Sequence, residues 1–255
     1  MYHLVLLSAA VALLGSTCNS ATINRQIKLL HEINNHIDSN ERSTPKRFLN
    51  LTHKPPARVL LGRTSEITCE AVGTPAPSIR WFRDNAPIYE YDKESHEISD
   101  SNAESLARVS STVLLSGGAD GARYTCVATS GHLTARAHTI VYNAGVTERT
   151  ERSRLVPLTP RILRHARVLA DSIGSVTRLP CAARGHPRPS VRWTDAEGRP
   201  VTDNPRMKVL RSGELVISPL EWGDMGELTC TATNMFGTAH VTTFLYPAKP
   251  SESDG

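Results

Sequence analysis

Cys181-Ala-Ala-Arg-Gly185-His-Pro187-Arg-Pro189-Ser-Val-Arg-Trp193 repeats, 112 residues on (181 − 69), the stretch Cys69-Glu-Ala-Val-Gly73-Thr-Pro75-Ala-Pro77-Ser-Ile-Arg-Trp81. In each copy the tryptophan follows the cysteine by twelve residues, with G-x-P-x-P at the same offset. A second cysteine closes each copy in a matching phrase, Asp120-Gly-Ala-Arg-Tyr124-Thr-Cys126 and Asp224-Met-Gly226-Glu-Leu228-Thr-Cys230. Self-similarity of this kind means two copies of one structural unit. The cysteine separations, 57 (126 − 69) and 49 (230 − 181), make pairing within each copy the natural choice among the three possible.

Within each copy apolar residues alternate: Ile67, Cys69, Ala71 and then Ile79, Trp81; Leu179, Cys181, Ala183 and then Val191, Trp193. Period two is the mark of a strand with one face inward. The Pro-x-Pro between the two strands removes ladder donors and sends the chain from one sheet to the other. Tryptophan then packs on the disulfide that joins the sheets, and a tyrosine two residues before the second cysteine anchors the corner. Leu228 stands where that tyrosine would be in the second copy. These features describe an all-β chain of two tandem immunoglobulin-like β-sandwich domains, each with one intersheet disulfide, Cys69–Cys126 and Cys181–Cys230. Leu215-x-Ile217, Leu220, Asp224-x-Gly226 and Cys230-x-Ala232-x-Asn234-x-x-Gly237 resemble the intermediate, or I-set, subtype. Each disulfide closes a loop of about 50 residues, worth about 4 kcal/mol in the chain-entropy model.

Composition agrees with this reading. The chain has 255 residues, 39% apolar and 21% charged, enough to bury a core, and 16 Gly with 16 Pro suit many short strands. A net charge of +4 (29 − 25) is too weak a bias to imply nucleic acid. Residues 4–14 form an apolar run broken by Ser8 and three alanines and are followed by Gly15-Ser-Thr-Cys18-Asn-Ser-Ala21, the pattern of a secretory signal peptide over residues 1–21 rather than a membrane span. The expected organisation is signal peptide 1–21, polar leader 22–53, domain one 54–142, an Arg-rich connector 143–156, domain two 157–247 and a polar tail 248–255, with no membrane anchor. The leader carries Ile23, Ile27, Leu30, Ile33 and Ile37 at helical spacing, which reads as a docking helix or, more plainly, as a marginal helix that frays alone. Asn50-Leu-Thr52 is the chain's one glycosylation sequon.

Charge is uneven. Residues 84–104 hold seven acids and one Lys, and residues 147–167 hold six Arg against two Glu. Both runs read as solvated surface; the sharper reading sets the Arg run against heparan sulphate, an acidic partner or the acidic run itself.

No catalytic constellation emerges. His31-Glu32-Ile-Asn-Asn-His36 is one residue too long for a zinc helix, since a step of five turns the second imidazole away from the first. No nucleophile elbow or phosphate loop occurs. The expectation is a secreted binding protein with no catalytic residues, cofactor or metal.

The layout as a whole resembles the ecdysone-inducible neural/ectodermal development factors of insects, a family of secreted two-domain proteins that bind insulin-like peptides. The likeness runs over roughly residues 50–248, through Gly73-Thr-Pro-Ala-Pro-Ser-Ile-Arg-Trp81-Phe82, the long acidic insertion in domain one and Asn234-Met-Phe-Gly237-Thr-Ala-His240. It implies sequestration of an insulin-like peptide hormone and reduced signalling through the insulin receptor. Candidate contacts are Leu155, Val156, Leu158, Ile162 and Leu163 of the connector region and the final strand of domain one, which equally suit a domain–domain seal. The rivals are an adhesion or axon-guidance protein working by homophilic or heterophilic contact, and a matrix module whose residues Arg149 to Arg167 hold heparan sulphate. Whether the chain self-associates, and whether Cys18 survives cleavage, stay open at this level.

Overall fold

Alternation predicts that Ile67, Cys69 and Ala71 share the inner face of one strand, and all three are buried at 3% exposure or less. The structure, a computed structural model, describes residues 47–61, 66–88, 102–115, 120–143 and 158–249. The signal peptide, the leader helix with His31 and His36, Arg149, Arg152, Arg154, Leu155 and Val156 lie outside those residues, as does most of the acidic run.

The first repeat comprises β1 (Phe48–His53), β2 (Arg58–Leu61), β3 (Glu66–Thr74), β4 (Ser78–Arg83), β5 (Ala86–Pro87), β6 (Leu106–Leu114), β7 (Ala122–Ser130) and β8 (Leu133–Asn143). The second comprises β9 (Leu158–Ser172), β10 (Thr177–Leu179), β11 (Cys181–His186), β12 (Ser190–Thr194), β13 (Met207–Val209), β14 (Leu215–Ile217), β15 (Gly226–Asn234) and β16 (Gly237–Ala248). Each is an immunoglobulin sandwich closed by its disulfide, and both Cα–Cα distances are 6.5 Å. Trp81 and Trp193 are 6% and 1% exposed. Their indole N–H groups donate to Ser111 Oγ at 3.2 Å and to the Gly213 carbonyl at 2.9 Å. Tyr124 and Leu228, at equivalent positions, are both buried, so the second corner keeps its packing without a hydroxyl.

The glycines of the two G-x-P-x-P phrases are explained by close approach. A Cβ on Gly73 would meet the Phe48 carbonyl oxygen at 2.7 Å, and one on Gly185 would meet Pro189 Cγ at 2.8 Å.

Two points depart from the sequence reading. The leader was expected to reach residue 53, yet Phe48–His53 is β1, paired antiparallel with β3. Leu49 and Leu51 alternate and Leu51 is buried, so these residues complete the inner face of domain one. The second departure is the joint. The sequence reading separates the repeats by a connector, whereas here they share one sheet in the order β1-β3-β6-β9-β16-β15-β12.

Strand β9 makes this possible by serving three neighbours. Its first half pairs with β11, from Leu158↔His186 to His165↔Cys181. Arg164 to Ala170 pair antiparallel with Ser111 to Leu106 of β6, across a bulge at Arg167. Val168 to Ser172 run parallel to Phe244 to Ala248 of β16. The sheet of domain one therefore forks at β9, and the core of domain two lies between the branches. The row Ala107, Leu169, Leu245 is buried in both sandwiches, so the opposite face runs unbroken from β1 to β12. A separate five-stranded sheet, β2-β8-β7-β4-β5, covers the inner face of domain one, and β10-β14-β13 helps to close domain two.

Candidate protein-binding face

Because pleated strands alternate, a residue's register fixes which face it occupies. On the unbroken outer face, Asn50, Val72, Arg108, Val168, Phe244 and Glu227 stand in one row across six strands and both domains. Five gaps of about 4.8 Å make that row about 24 Å wide. Its middle is apolar, through the half-buried Val72 and Phe244 on either side of Val168, which is only 6% exposed. Beside it runs a second row, Leu106, Ala170 and Tyr246, and the Trp222 ring meets Tyr246 edge-on at 6.3 Å. Trp222 is 54% exposed, the largest apolar side chain that the described surface offers.

On the other flank lies a charged seam. Glu70 of β3 is only 5% exposed and is enclosed by donors. Thr52 Oγ1 and Arg108 Nε each donate to its Oε1 at 2.7 Å, and Arg167 Nε from β9 lies 2.8 Å from Oε2. Burial alone would raise this carboxyl, but the Thr52 hydroxyl and the two guanidinium groups outweigh it and hold Glu70 below the usual carboxylate range. His165 sits at the fork, in register with Ser110 and Cys181. Burial and the Arg167 charge push its imidazole below the usual histidine value, against the opposing pull of Glu70. Arg161 pairs with Glu66 across the same joint. At the far end Asn102 Nδ2 donates to Asp171 Oδ1 at 2.9 Å and Ser172 Oγ to Glu104 Oε2 at 3.0 Å. Among the described residues the two domains are thus joined by a backbone ladder, the Glu70–Arg167 and Glu66–Arg161 ion pairs and the Asn102–Asp171 and Ser172–Glu104 hydrogen bonds.

Of the sequence candidates, Leu163 is corrected: it is 1% exposed and belongs to the core, because β9 turns it inward at the joint. Leu158 and Ile162 are half-buried, and one edge of their strand is paired with β11 of the same domain. Asn50 is exposed at the rim, on edge strand β1. The sequence reading missed Phe244, Tyr246 and Glu70. The alternation of His240-Val-Thr-Thr-Phe244-Leu-Tyr246 around the buried Leu245 carried the signal for the first two.

Comparison with known proteins agrees with this architecture. Residues 160–246 match the immunoglobulin I-set domain and residues 49–130 an immunoglobulin domain. The neural/ectodermal development factor IMP-L2 of Drosophila melanogaster is 31% identical over 232 residues, 87% of this chain and 87% of its own length. The chain belongs to the IMP-L2 family. The crystal structure of IMP-L2 superposes with a TM-score of 0.69 at 29% identity, over 81% of this chain and 98% of that one. That span exceeds either domain, so the likeness to IMP-L2 extends to how the two sandwiches are joined. Zwei Ig domain protein zig-4 of Caenorhabditis elegans is 27% identical over 86% of this chain and 87% of its own. The human peroxidasin homolog is 30% identical over 76% of this chain, which spans 12% of its length. Among the described residues no helix is long and apolar enough to cross a membrane.

Proposed function

We propose that this protein is a secreted binding protein that holds an insulin-like peptide on the outer face of the shared sheet and so keeps it from its receptor. The reading rests on the family resemblance and on one observation, the unbroken two-domain face with an apolar middle and a charged flank. A face about 24 Å wide suits a small folded hormone, since a stable interface buries about 800 Å² on each partner. Binding energy concentrates in central aromatic and apolar anchors, and Phe244, Val72 and Trp222 supply them. Fixing the domains beforehand removes the ordering cost that a hinged pair would meet on binding.

The test is calorimetry of the secreted chain with an insulin-like peptide. Nanomolar binding near one peptide per chain, lost at least tenfold in Phe244→Glu and Val72→Glu chains of unchanged melting temperature, is the expected result. No heat at tens of micromolar overturns the hormone reading. Tight binding indifferent to both substitutions moves the site off this face.

A further inference from the structure

Several arginines of this protein are matched. On the shared sheet Arg108 and Arg167 pair with Glu70 and Arg161 with Glu66. In domain two, Arg206 binds Asp224, and Arg199 binds Asp195 and Glu197. The outer face of the five-stranded sheet is different. Register places Arg80, Val127 and Arg136 in one row, Phe82, Thr125 and His138 in the next, and Arg123, Ile140 and Arg58 in a third. The four arginines and His138 are all exposed. None of the four makes an ion pair among the described residues, and no acidic residue occupies an outward position on these strands. The nearest described carboxylates, Asp84 and Asp120, lie in turns, where they accept the backbone N–H groups of Arg123 and Asn143.

We propose that this face binds a sulphated glycosaminoglycan chain. Arginines two strands apart in a row are about 10 Å from each other, and the two arginine rows, four residues apart along the strands, are separated by about 14 Å. Four guanidinium groups thus stand at the corners of a flat plate with an imidazole between them. Such a plate suits a linear polyanion with repeating sulphates, because guanidinium forks bind oxyanions through paired hydrogen bonds and are weakly hydrated. In the run at residues 149–167, Arg161 and Arg167 are paired with Glu66 and Glu70, and Arg149, Arg152 and Arg154 lie outside the described residues. The plate lies on the far side of domain one from the shared sheet, so occupation of one face leaves the other open.

The experiment uses the full secreted chain and heparin, with affinity measured over a range of salt. Four contacts give a slope of log K against log salt of about −3 by counterion release, and Arg80→Gln with Arg136→Gln halves it. Arg192→Gln with Arg211→Gln, which removes the same charge from exposed positions of domain two, leaves the slope unchanged. All four positions are exposed, so melting temperatures should match that of the parent chain. An equal loss in both double variants overturns the proposal, as does a slope unaffected by the first. Tighter binding of poly-glutamate than of heparin assigns the plate to an acidic protein segment and likewise overturns it.

Discussion

Arg167 of the second repeat lies 2.8 Å from Glu70 of the first, yet the two side chains differ sharply in exposure, 61% against 7%. The carboxylate is the buried centre of the joint and the guanidinium its lid. Removing the centre strands Arg108, Arg167 and the Thr52 hydroxyl at once. Glu70→Ala should therefore cost about 2–3 kcal/mol, whereas Arg167→Ala should cost about 1 kcal/mol or less, as solvent-exposed pairs do. Denaturant midpoints of the two variants decide it; equal losses would mean that Glu70 is not the hub.

Acid should loosen the joint. Glu70 is held below the usual carboxylate range in the folded protein, so its contribution is present above that range and is lost as pH falls through its folded value. His165 is also held low. The unfolded chain then takes up that proton first, near pH 6.5, so stability begins to decline below about that pH as well. Melting temperature should fall steadily from pH 7.5 to pH 4, and His165→Gln should flatten the upper part of the decline. A parent chain whose melting temperature is constant across that range contradicts both assignments.

Gly73→Ala should destabilise by about 1–3 kcal/mol, because the new methyl must displace the β1 backbone rather than a flexible side chain. Gly223→Ala, where an added Cβ meets nothing within 4 Å, should stay within about 0.5 kcal/mol. Thermal melts of the pair provide the comparison, and similar values would remove the close-approach explanation of the repeated glycine.

Arg206 grips Asp224 through two hydrogen bonds, at 2.7 and 2.8 Å, and Asp224 also accepts the Glu221 N–H at 2.8 Å. The aspartate side chain is 3% exposed. Burial would raise its carboxyl, but Arg206 and the Glu221 N–H hold it low. Asp224→Ala should cost about 2–3 kcal/mol, while Arg206→Lys, which loses the fork but keeps the charge, should cost less. An Arg206→Lys chain as stable as the parent would show that charge alone matters.

Asn50 is exposed on an edge strand, and the sequon is completed by Thr52. A glycan there would stand at the rim of the outer face and screen the β1 edge against further strand pairing. Intact mass of the secreted chain before and after amidase treatment should differ by one glycan. Asn50→Gln should abolish the difference; an unmodified parent chain would refute it.

The two sandwiches were legible because disulfides, tryptophans and alternation are written in side chains. The joint was not. Which strand lies beside β6 is set by backbone hydrogen bonds that every residue offers alike, so Leu106–Leu114 shows which face is inward but not which neighbour it takes. Two irregularities break the period of β9, one at Leu163 against β11 and one at Arg167 against β6, so alternation along the strand does not tell that Leu163 and Val168 are both buried. In β1, Leu49 and Leu51 alternate about Asn50, a pattern too short to tell an edge strand from a polar leader. The outer face was half legible, since Phe244 and Tyr246 alternate visibly with Leu245, whereas its continuity into Val72 depends wholly on β9.

Because β9 gives its hydrogen bonds to both sandwiches, this chain is not a pair of beads that could be cut apart and traded. Domain one expressed alone would lose the neighbour of β6 and present a bare nine-residue strand to any passing copy. Domain two expressed alone would keep β9 but leave one of its edges unsatisfied. A family built from freely shuffled modules has here become a single indivisible object, which should melt in one step and be inherited as one.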